Sequence, residues 1–80
     1  MSYILFVKDE CPYCVDAELL LMSRNLNFKK VVFQEEQEQI LAQIKIAHNW
    51  QTVPMIFHKT GPDLKFVGGF SDLTEYLGDE

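Results

Sequence analysis

The 80-residue sequence predicts one α/β domain, residues 1–80, with the element order β-α-β-α-β-β-α and a four-stranded mixed sheet that has helices on both faces. Three observations support this fold class. Short runs of β-branched and aromatic residues alternate with longer segments whose apolar residues recur at helical spacing. The first two runs flank a helix and predict a parallel pair, whereas the last two flank a turn and predict a hairpin. The length suits a single domain.

The first half of the sequence predicts two strand–helix units. The first strand covers Ser2–Val7, and a helix begins at Pro12, where the missing N–H of proline costs no hydrogen bond. Apolar residues at i, i+4, i+7 and i+11 predict its buried face: Val15, Leu19, Met22 and Leu26. Residues 28–33 are the second predicted strand. Three acids, Glu35, Glu36 and Glu38, crowd the start of the second helix, where they complement the helix dipole. Its predicted apolar face comprises Ile40, Leu41, Ile44 and Ala47.

The second half predicts a hairpin and a short final helix. Residues 53–58 are the third strand, with Pro54 near its beginning, where a strand tolerates proline. Turn residues at 59–63 separate this strand from a fourth at residues 64–67. Ser71 is the predicted N-cap of the last helix, whose apolar residues are Leu73, Tyr76 and Leu77. Trp50, just before the third strand, is interpreted as a packing residue.

Composition and charge exclude several classes of protein. With 48% hydrophobic residues, the chain is unlike a disordered segment. The formal net charge of −5 argues against nucleic acid or an anionic membrane as the partner, since both attract cations. The longest apolar run, residues 3–7, is far too short to cross a membrane. We expect a soluble protein without a signal peptide, working in the cytoplasm.

Two cysteines, Cys11 and Cys14, are the clearest chemical signal in the sequence. They lie at the predicted junction between the first strand and the first helix, where unpaired N–H groups and the helix dipole stabilise an anion. We therefore predict a thiolate nucleophile with a lowered pKa at Cys11. Cys14 is predicted to be a resolving thiol that attacks the Cys11 sulfur once a mixed disulfide has formed. Lys8, three residues before Cys11, adds positive charge nearby.

Two other roles for the cysteine pair stay open at this point. A zinc site would need two more ligands, and only His48 and His58 remain, on different predicted elements. A structural disulfide closing so short a loop would remove little entropy from the unfolded chain. In a reducing compartment, a dithiol that opens a helix within a βαβ unit is more typical of redox chemistry. Redox chemistry is therefore the favoured interpretation.

Three segments resemble the glutaredoxins, the glutathione-linked branch of the thioredoxin-fold superfamily. Residues 8–14 (KDECPYC) match the active-site pattern of the dithiol CPYC type, residues 52–54 (TVP) match the segment that presents a cis-proline, and residues 68–72 (GGFSD) match the glycine pair and helix start of the glutathione site. Order and spacing agree over residues 4–77. The resemblance implies a thioredoxin-like fold.

The resemblance also implies a role for each matched residue. Cys11 is the nucleophile and Cys14 the resolving thiol, and a cis bond before Pro54 exposes the backbone of Val53 to glutathione. The resemblance further implies that Gly68 and Gly69 allow the ligand to approach closely, and that Lys8 and Gln51 bind the glycine carboxylate of glutathione. Ser71 and the helix N–H groups receive the γ-glutamyl carboxylate, and Asp72 faces the α-amino group. Tyr13 forms part of the groove wall, and Thr52 belongs to the cis-proline segment.

Two features depart from the common family pattern. Asp9 and Glu10 place carboxylates beside Cys11, where relatives more often have neutral or basic residues, and Gln51 stands where many relatives have arginine. Both features are expected to weaken the binding of anionic glutathione, although solvent screening limits the effect of the carboxylates.

We therefore expect a monomeric, glutathione-dependent thiol–disulfide oxidoreductase that reduces protein disulfides and glutathione mixed disulfides. The resemblance suggests ribonucleotide reductase among its clients and implies glutathione as reducing co-substrate, with no bound metal or organic prosthetic group. A glutaredoxin-like redoxin reduced by thioredoxin reductase is the alternative. An iron–sulfur cluster carrier is less favoured, because Pro12 stiffens the loop and Cys14 competes for Cys11. A binding module without chemistry is disfavoured by the intact cysteines.

Overall fold

The computed structural model describes residues 2–78. Its elements follow the predicted order: β1 (Ser2–Val7), α1 (Pro12–Ser23), β2 (Phe28–Val32), α2 (Glu38–Ala47), β3 (Met55–Thr60), β4 (Asp63–Gly68) and α3 (Phe70–Leu77). A short 3-10 turn, Glu35–Gln37, precedes α2. Within the described residues, no helix combines the length and the apolar character that a membrane span requires.

The strands form one mixed sheet in the order β2-β1-β3-β4. β1 pairs in parallel with β2, with Tyr3 opposite Phe28, and antiparallel with β3, with Tyr3 opposite His58. β3 and β4 form the predicted hairpin, with a register irregularity between Ile56 and Phe57. Because β1 lies in the interior of the sheet, the cysteine-bearing loop that follows it starts from the centre of the fold.

The core consists of two apolar clusters, one on each side of the sheet. One cluster joins α1 and α3 to the sheet: Tyr3, Leu5, Val7, Cys14, Ala17, Leu21, Ile56 and Leu73. The other joins α2 to the opposite face: Phe33, Leu41, Met55 and Phe57, with Ile4 and Phe6 packed against it. Alternate residues of β1 thus enter different clusters, as the two-residue period of a strand requires. The predicted mixed sheet with helices on both faces is confirmed.

The predicted apolar face of α1 is wrong. Three of its four residues have more than half of their surface exposed: Val15, Leu19 and Met22. The helix instead buries Cys14, Ala17 and Leu21. Apolar residues surround nearly the whole of α1, so spacing alone does not select one side. Packing selects it, because the small Ala17 side chain, fully buried, lets the helix approach the sheet closely.

The prediction for α2 is correct only in part. Of the three acids expected at its start, Glu38 is the first residue of the helix, whereas Glu35 and Glu36 lie in the 3-10 turn before it. Leu41 is fully buried and Ile44 packs against the second cluster, but the Ile40 side chain is 57% exposed and Ala47 is exposed as well. The helix has only 10 residues, and one narrow stripe of it contacts the sheet.

Candidate active site

Cys11 and Cys14 are joined by a disulfide at the N-terminus of α1. Cys11 is the N-cap residue, with an extended backbone, and Pro12 occupies the first helical position. The backbone N–H of Cys14 donates a hydrogen bond to Sγ of Cys11 at 3.2 Å. Cys14 is 2% exposed, whereas Cys11 is only partly buried. The more accessible sulfur of the pair therefore lies where the free N–H groups of a helix favour an anion.

The loop before β3 lies against this disulfide. The Val53–Pro54 peptide bond is cis, as the resemblance implies, and Pro54 is fully buried. Sγ of Cys11 lies 3.9 Å from the carbonyl oxygen of Val53. β3 begins at Met55, two residues later than predicted, because residues 53 and 54 belong to this loop. Thr52, which precedes Val53 in this loop, is exposed.

A groove with a volume of ≈ 310 Å³ lies beside the disulfide. It contains most of the residues for which the sequence predicts a glutathione contact: Tyr13, Thr52, Val53, Pro54, Gly69, Ser71 and Asp72. Trp50 and Phe70 complete the lining. These residues come from the start of α1, the loop before β3 and the start of α3, so the fold assembles the groove from three separate segments.

The N-terminus of α3 is capped differently from the prediction. Gly69 is the N-cap, and Ser71 is an exposed residue of the first helical turn, so the Ser71 N-cap is wrong. Oδ2 of Asp72 accepts the Gly69 N–H at 2.9 Å. A carboxylate at the third helical position reaches back to the N-cap in this way, which makes a capping side chain at position 71 unnecessary.

Gly68 is packed too closely against Asp72 to tolerate a side chain. Its φ is +126°, and a Cβ at this position would lie 2.6 Å from Oδ2 of Asp72. Gly69 differs, because a Cβ there would make only ordinary contacts, the nearest at 3.5 Å from the Trp50 ring. Packing against Asp72 within the chain therefore requires a residue without a side chain at position 68.

We expect Gly68→Ala to lower the free energy of unfolding by about 1–3 kcal/mol, because it combines a positive φ with a clash against the capping carboxylate. Gly69→Ala is the matched control and is expected to cost less, since the Gly69 backbone is extended and has room for a methyl group. Urea denaturation of both variants measures the difference. Equal losses in the two variants would contradict this account of the Gly68 packing.

Comparison with known proteins establishes the family to which this site belongs. The protein-family model described as Glutaredoxin matches residues 3–60. The chain belongs to the glutaredoxin family. It is 34% identical over 82 residues to a probable glutaredoxin of Acanthamoeba polyphaga mimivirus, an alignment that covers 95% of this chain and 77% of that protein.

Solved glutaredoxin structures share the fold. The solution structure of a dithiolic glutaredoxin from Trypanosoma brucei brucei matches with a TM-score of 0.72 at 36% identity, covering 95% of this chain and 75% of that one. A buckwheat glutaredoxin–glutathione complex matches with a TM-score of 0.78 at 21% identity, covering 94% and 66%. This glutaredoxin is thus a thiol–disulfide oxidoreductase with a dithiol motif, and its thioredoxin-like fold is confirmed.

Three predicted glutathione contacts of this glutaredoxin do not line the groove: Lys8, Gln51 and Gly68. Gln51 is exposed and is absent from the groove lining. Nζ of Lys8 pairs with Oε2 of Glu38 at 2.7 Å, and the hydrogen bond from Lys8 is the main cause that lowers the pKa of the Glu38 carboxyl. Lys8 lies instead in a second depression of ≈ 570 Å³, here called the acidic depression, whose other lining residues are Asp9, Glu10, Phe33, Gln34, Glu35, Glu36 and Glu38.

Sequence reasoning missed two aromatic residues of the groove. Trp50, interpreted from the sequence as a packing residue only, lines the groove, and its Nε1 is buried without a hydrogen-bond partner among residues 2–78. The Phe70 ring lines the groove as well and stacks on that of Tyr13, with ring centroids 6.2 Å apart. Their positions in the sequence could have indicated this role, since Trp50 lies two residues before the TVP segment and Phe70 lies within GGFSD.

The two histidines of the glutaredoxin chain have other contacts. His48 packs against Phe57, and His58 stacks on Tyr3 while its Nδ1 lies 2.6 Å from the hydroxyl of Tyr76. In the part of the chain that the structure describes, no group of three or more His, Cys, Asp and Glu side chains is arranged to bind a metal ion. The zinc alternative therefore gains no support from the arrangement of these residues.

Proposed function

We propose that this glutaredoxin reduces protein disulfides and glutathione mixed disulfides with electrons from glutathione. The observation that carries the proposal is the groove beside Cys11. There, the loop with the cis-proline and the N-terminus of α3, capped by Gly69, lie next to the Cys11–Cys14 disulfide. Its volume of ≈ 310 Å³ lies at the lower end of the range of about 300–1,000 Å³ for small-ligand sites. The buckwheat structure, solved as a glutathione complex, supports a ligand of this kind.

In this proposal, glutathione lies extended along the groove. The backbone of Val53, beside the Cys11 sulfur, pairs with the cysteine of the ligand, as an added strand pairs with a sheet edge. Ser71 and the first N–H groups of α3 receive the γ-glutamyl carboxylate. Oδ2 of Asp72 is engaged by the Gly69 N–H, so Oδ1 is the oxygen that faces the α-amino group. Three further residues shape the walls: Tyr13, Thr52 and Pro54.

Reduction of a client disulfide starts from the Cys11 thiolate. The thiolate bonds to one client sulfur, the client S–S bond breaks, and the second client sulfur leaves as a thiolate that takes a proton from solvent. Cys14 then loses its proton and bonds to Sγ of Cys11, which expels the first client sulfur. The client has gained two electrons and two protons. The glutaredoxin is left with the Cys11–Cys14 disulfide that the structure shows.

Two glutathione molecules restore the dithiol. The first glutathione thiolate bonds to Sγ of Cys11 and breaks the Cys11–Cys14 bond, after which Cys14 takes up a proton. The second attacks the glutathione sulfur of this mixed disulfide, releasing glutathione disulfide and the Cys11 thiolate. The same mixed disulfide forms when Cys11 attacks a glutathionylated client, so a single groove serves both substrates.

A coupled assay tests the electron donor. Turnover of a glutathione mixed disulfide is followed by NADPH consumption, once with glutathione and glutathione reductase and once with thioredoxin reductase. We expect turnover with the glutathione system and only background consumption with thioredoxin reductase. The reverse pattern would show that the proposed electron donor is wrong.

A redoxin reduced by thioredoxin reductase is the second candidate. The acidic depression favours it, because five carboxylates line a surface on which Lys8 is already paired with Glu38. Such a surface offers little positive charge to attract anionic glutathione. The coupled assay separates the two candidates, since each is reduced by a different enzyme.

The proposed cellular setting follows from the chemistry. A dithiol cycle driven by glutathione needs a reducing compartment, and we propose the cytoplasm. Ribonucleotide reductase is a candidate client that the family resemblance suggests. That role is tested by an assay of purified ribonucleotide reductase in which this glutaredoxin is the sole dithiol electron donor. If ribonucleotide reductase stays oxidised in this assay, it is not a client.

A further inference from the structure

Lys8 and Glu38 form an ion pair at the edge of the acidic depression. Nζ and Oε2 are 2.7 Å apart, and the two side chains are 34% and 53% exposed. Lys8 directly follows β1, and Glu38 is the first residue of α2, so two ordered elements position the partners. The N-terminus of α2 stabilises a carboxylate at this position in addition to the ammonium. The Lys8 side chain thus has a well-placed anionic partner within the chain.

We propose that Glu38 competes with the glycine carboxylate of glutathione for the Lys8 ammonium, and so weakens the binding of glutathione. The inference rests on the proposed function, with Lys8 taken as the partner of that carboxylate, as the family resemblance implies. To reach Lys8, the ligand must either displace Glu38 or place a second carboxylate beside it, and like charges at such a distance repel. Asp9 and Glu10 line the same depression and increase the repulsion.

Charge states at neutral pH agree with this competition. Lys8 lowers the pKa of Glu38 by a hydrogen bond and by its charge, so the carboxylate stays ionised in the pH range in which the glutathione carboxylates are also ionised. Glu38 therefore makes the site less selective for thiols that carry a carboxylate at this end. Thiols without that carboxylate are unaffected by the pairing.

The test compares Glu38→Gln with Glu36→Gln. Both substitutions remove one negative charge from the acidic depression, but Glu36 forms no ion pair within residues 2–78. The KM for glutathione in the coupled assay is expected to fall about two- to five-fold in Glu38→Gln, the range of an exposed ion pair, with kcat unchanged. Glu36→Gln is expected to change it less. For glutathione esterified at the glycine carboxylate, Glu38→Gln is expected to leave the KM unchanged.

Two further comparisons exclude a general charge effect. In a Lys8→Gln background, Glu38→Gln is expected to have no effect on the KM for glutathione, because the ammonium for which the two carboxylates compete is absent. Equal decreases in KM for Glu38→Gln and Glu36→Gln, or an equal decrease with the ester, would overturn the inference and leave the proposed function intact. A wild-type glutaredoxin with no glutathione turnover would overturn both.

Discussion

Cys11→Ser is expected to abolish both the reduction of protein disulfides and the removal of glutathione from mixed disulfides. Both reactions begin with attack by the Cys11 sulfur, which is the more accessible one of the pair and accepts the Cys14 N–H. A serine hydroxyl at the same position is not ionised near neutral pH and does not take part in thiol–disulfide exchange. Rates in both assays should fall to those without enzyme.

Folding must be checked for this variant. Serine is a good N-cap residue, so Cys11→Ser should preserve α1 and its N-terminus. A circular dichroism spectrum and a urea unfolding curve like those of the reduced wild-type protein would show that lost activity reflects lost chemistry. Activity above background in a folded Cys11→Ser protein would mean that the nucleophile is assigned to the wrong sulfur.

Cys14→Ser is expected to separate the two reactions. Removal of glutathione from a mixed disulfide needs only Cys11, because a second glutathione molecule resolves the intermediate. This activity should be retained. Reduction of protein disulfides through the dithiol route needs Cys14 to expel the bound client, so it should be lost and a client–Cys11 mixed disulfide should accumulate. Both activities measured side by side, with the trapped species identified by mass spectrometry, test this division.

The burial of Cys14 makes a second variant necessary. The side chain is 2% exposed, so a serine hydroxyl there risks an unsatisfied hydrogen-bonding group in the core. Cys14→Ala avoids that group and removes the same thiol. If both variants fold but neither removes glutathione from a mixed disulfide, Cys14 has a role beyond resolving the intermediate and the proposed division is wrong.

Element order and the position of the cysteine pair followed from local patterns. Strand residues such as Tyr3 and Ile4 are aromatic or β-branched and lie on opposite faces of the sheet, which is a property of short segments. Pro12 and the cysteines mark the start of α1 for equally local reasons. The N–H at the first helical position has no partner within the helix, so proline is tolerated there, and the positive end of the helix dipole favours a thiolate. Such features depend little on the rest of the fold.

Most of the features that differ from the sequence-based predictions depend on contacts between distant segments. Val15 and Leu19 are as apolar as the residues that α1 buries, and only packing against the sheet and α3 selects the buried side. The Ser71 cap is a local error, because the Asp72 carboxylate accepts the N–H of Gly69 from only three residues along the chain. The pairing of Lys8 joins residues 30 positions apart in the chain, a separation that no local pattern spans.

The pH dependence of Cys11 alkylation tests the central claim most directly. The claim is that the N-terminus of α1, and the Cys14 N–H in particular, stabilises a thiolate at Cys11. Iodoacetamide rates for the reduced Cys14→Ser protein, which has one thiol, are compared with those of a peptide of the same local sequence. The account predicts ionisation of Cys11 at clearly lower pH than in the peptide, and identical titration curves would contradict it.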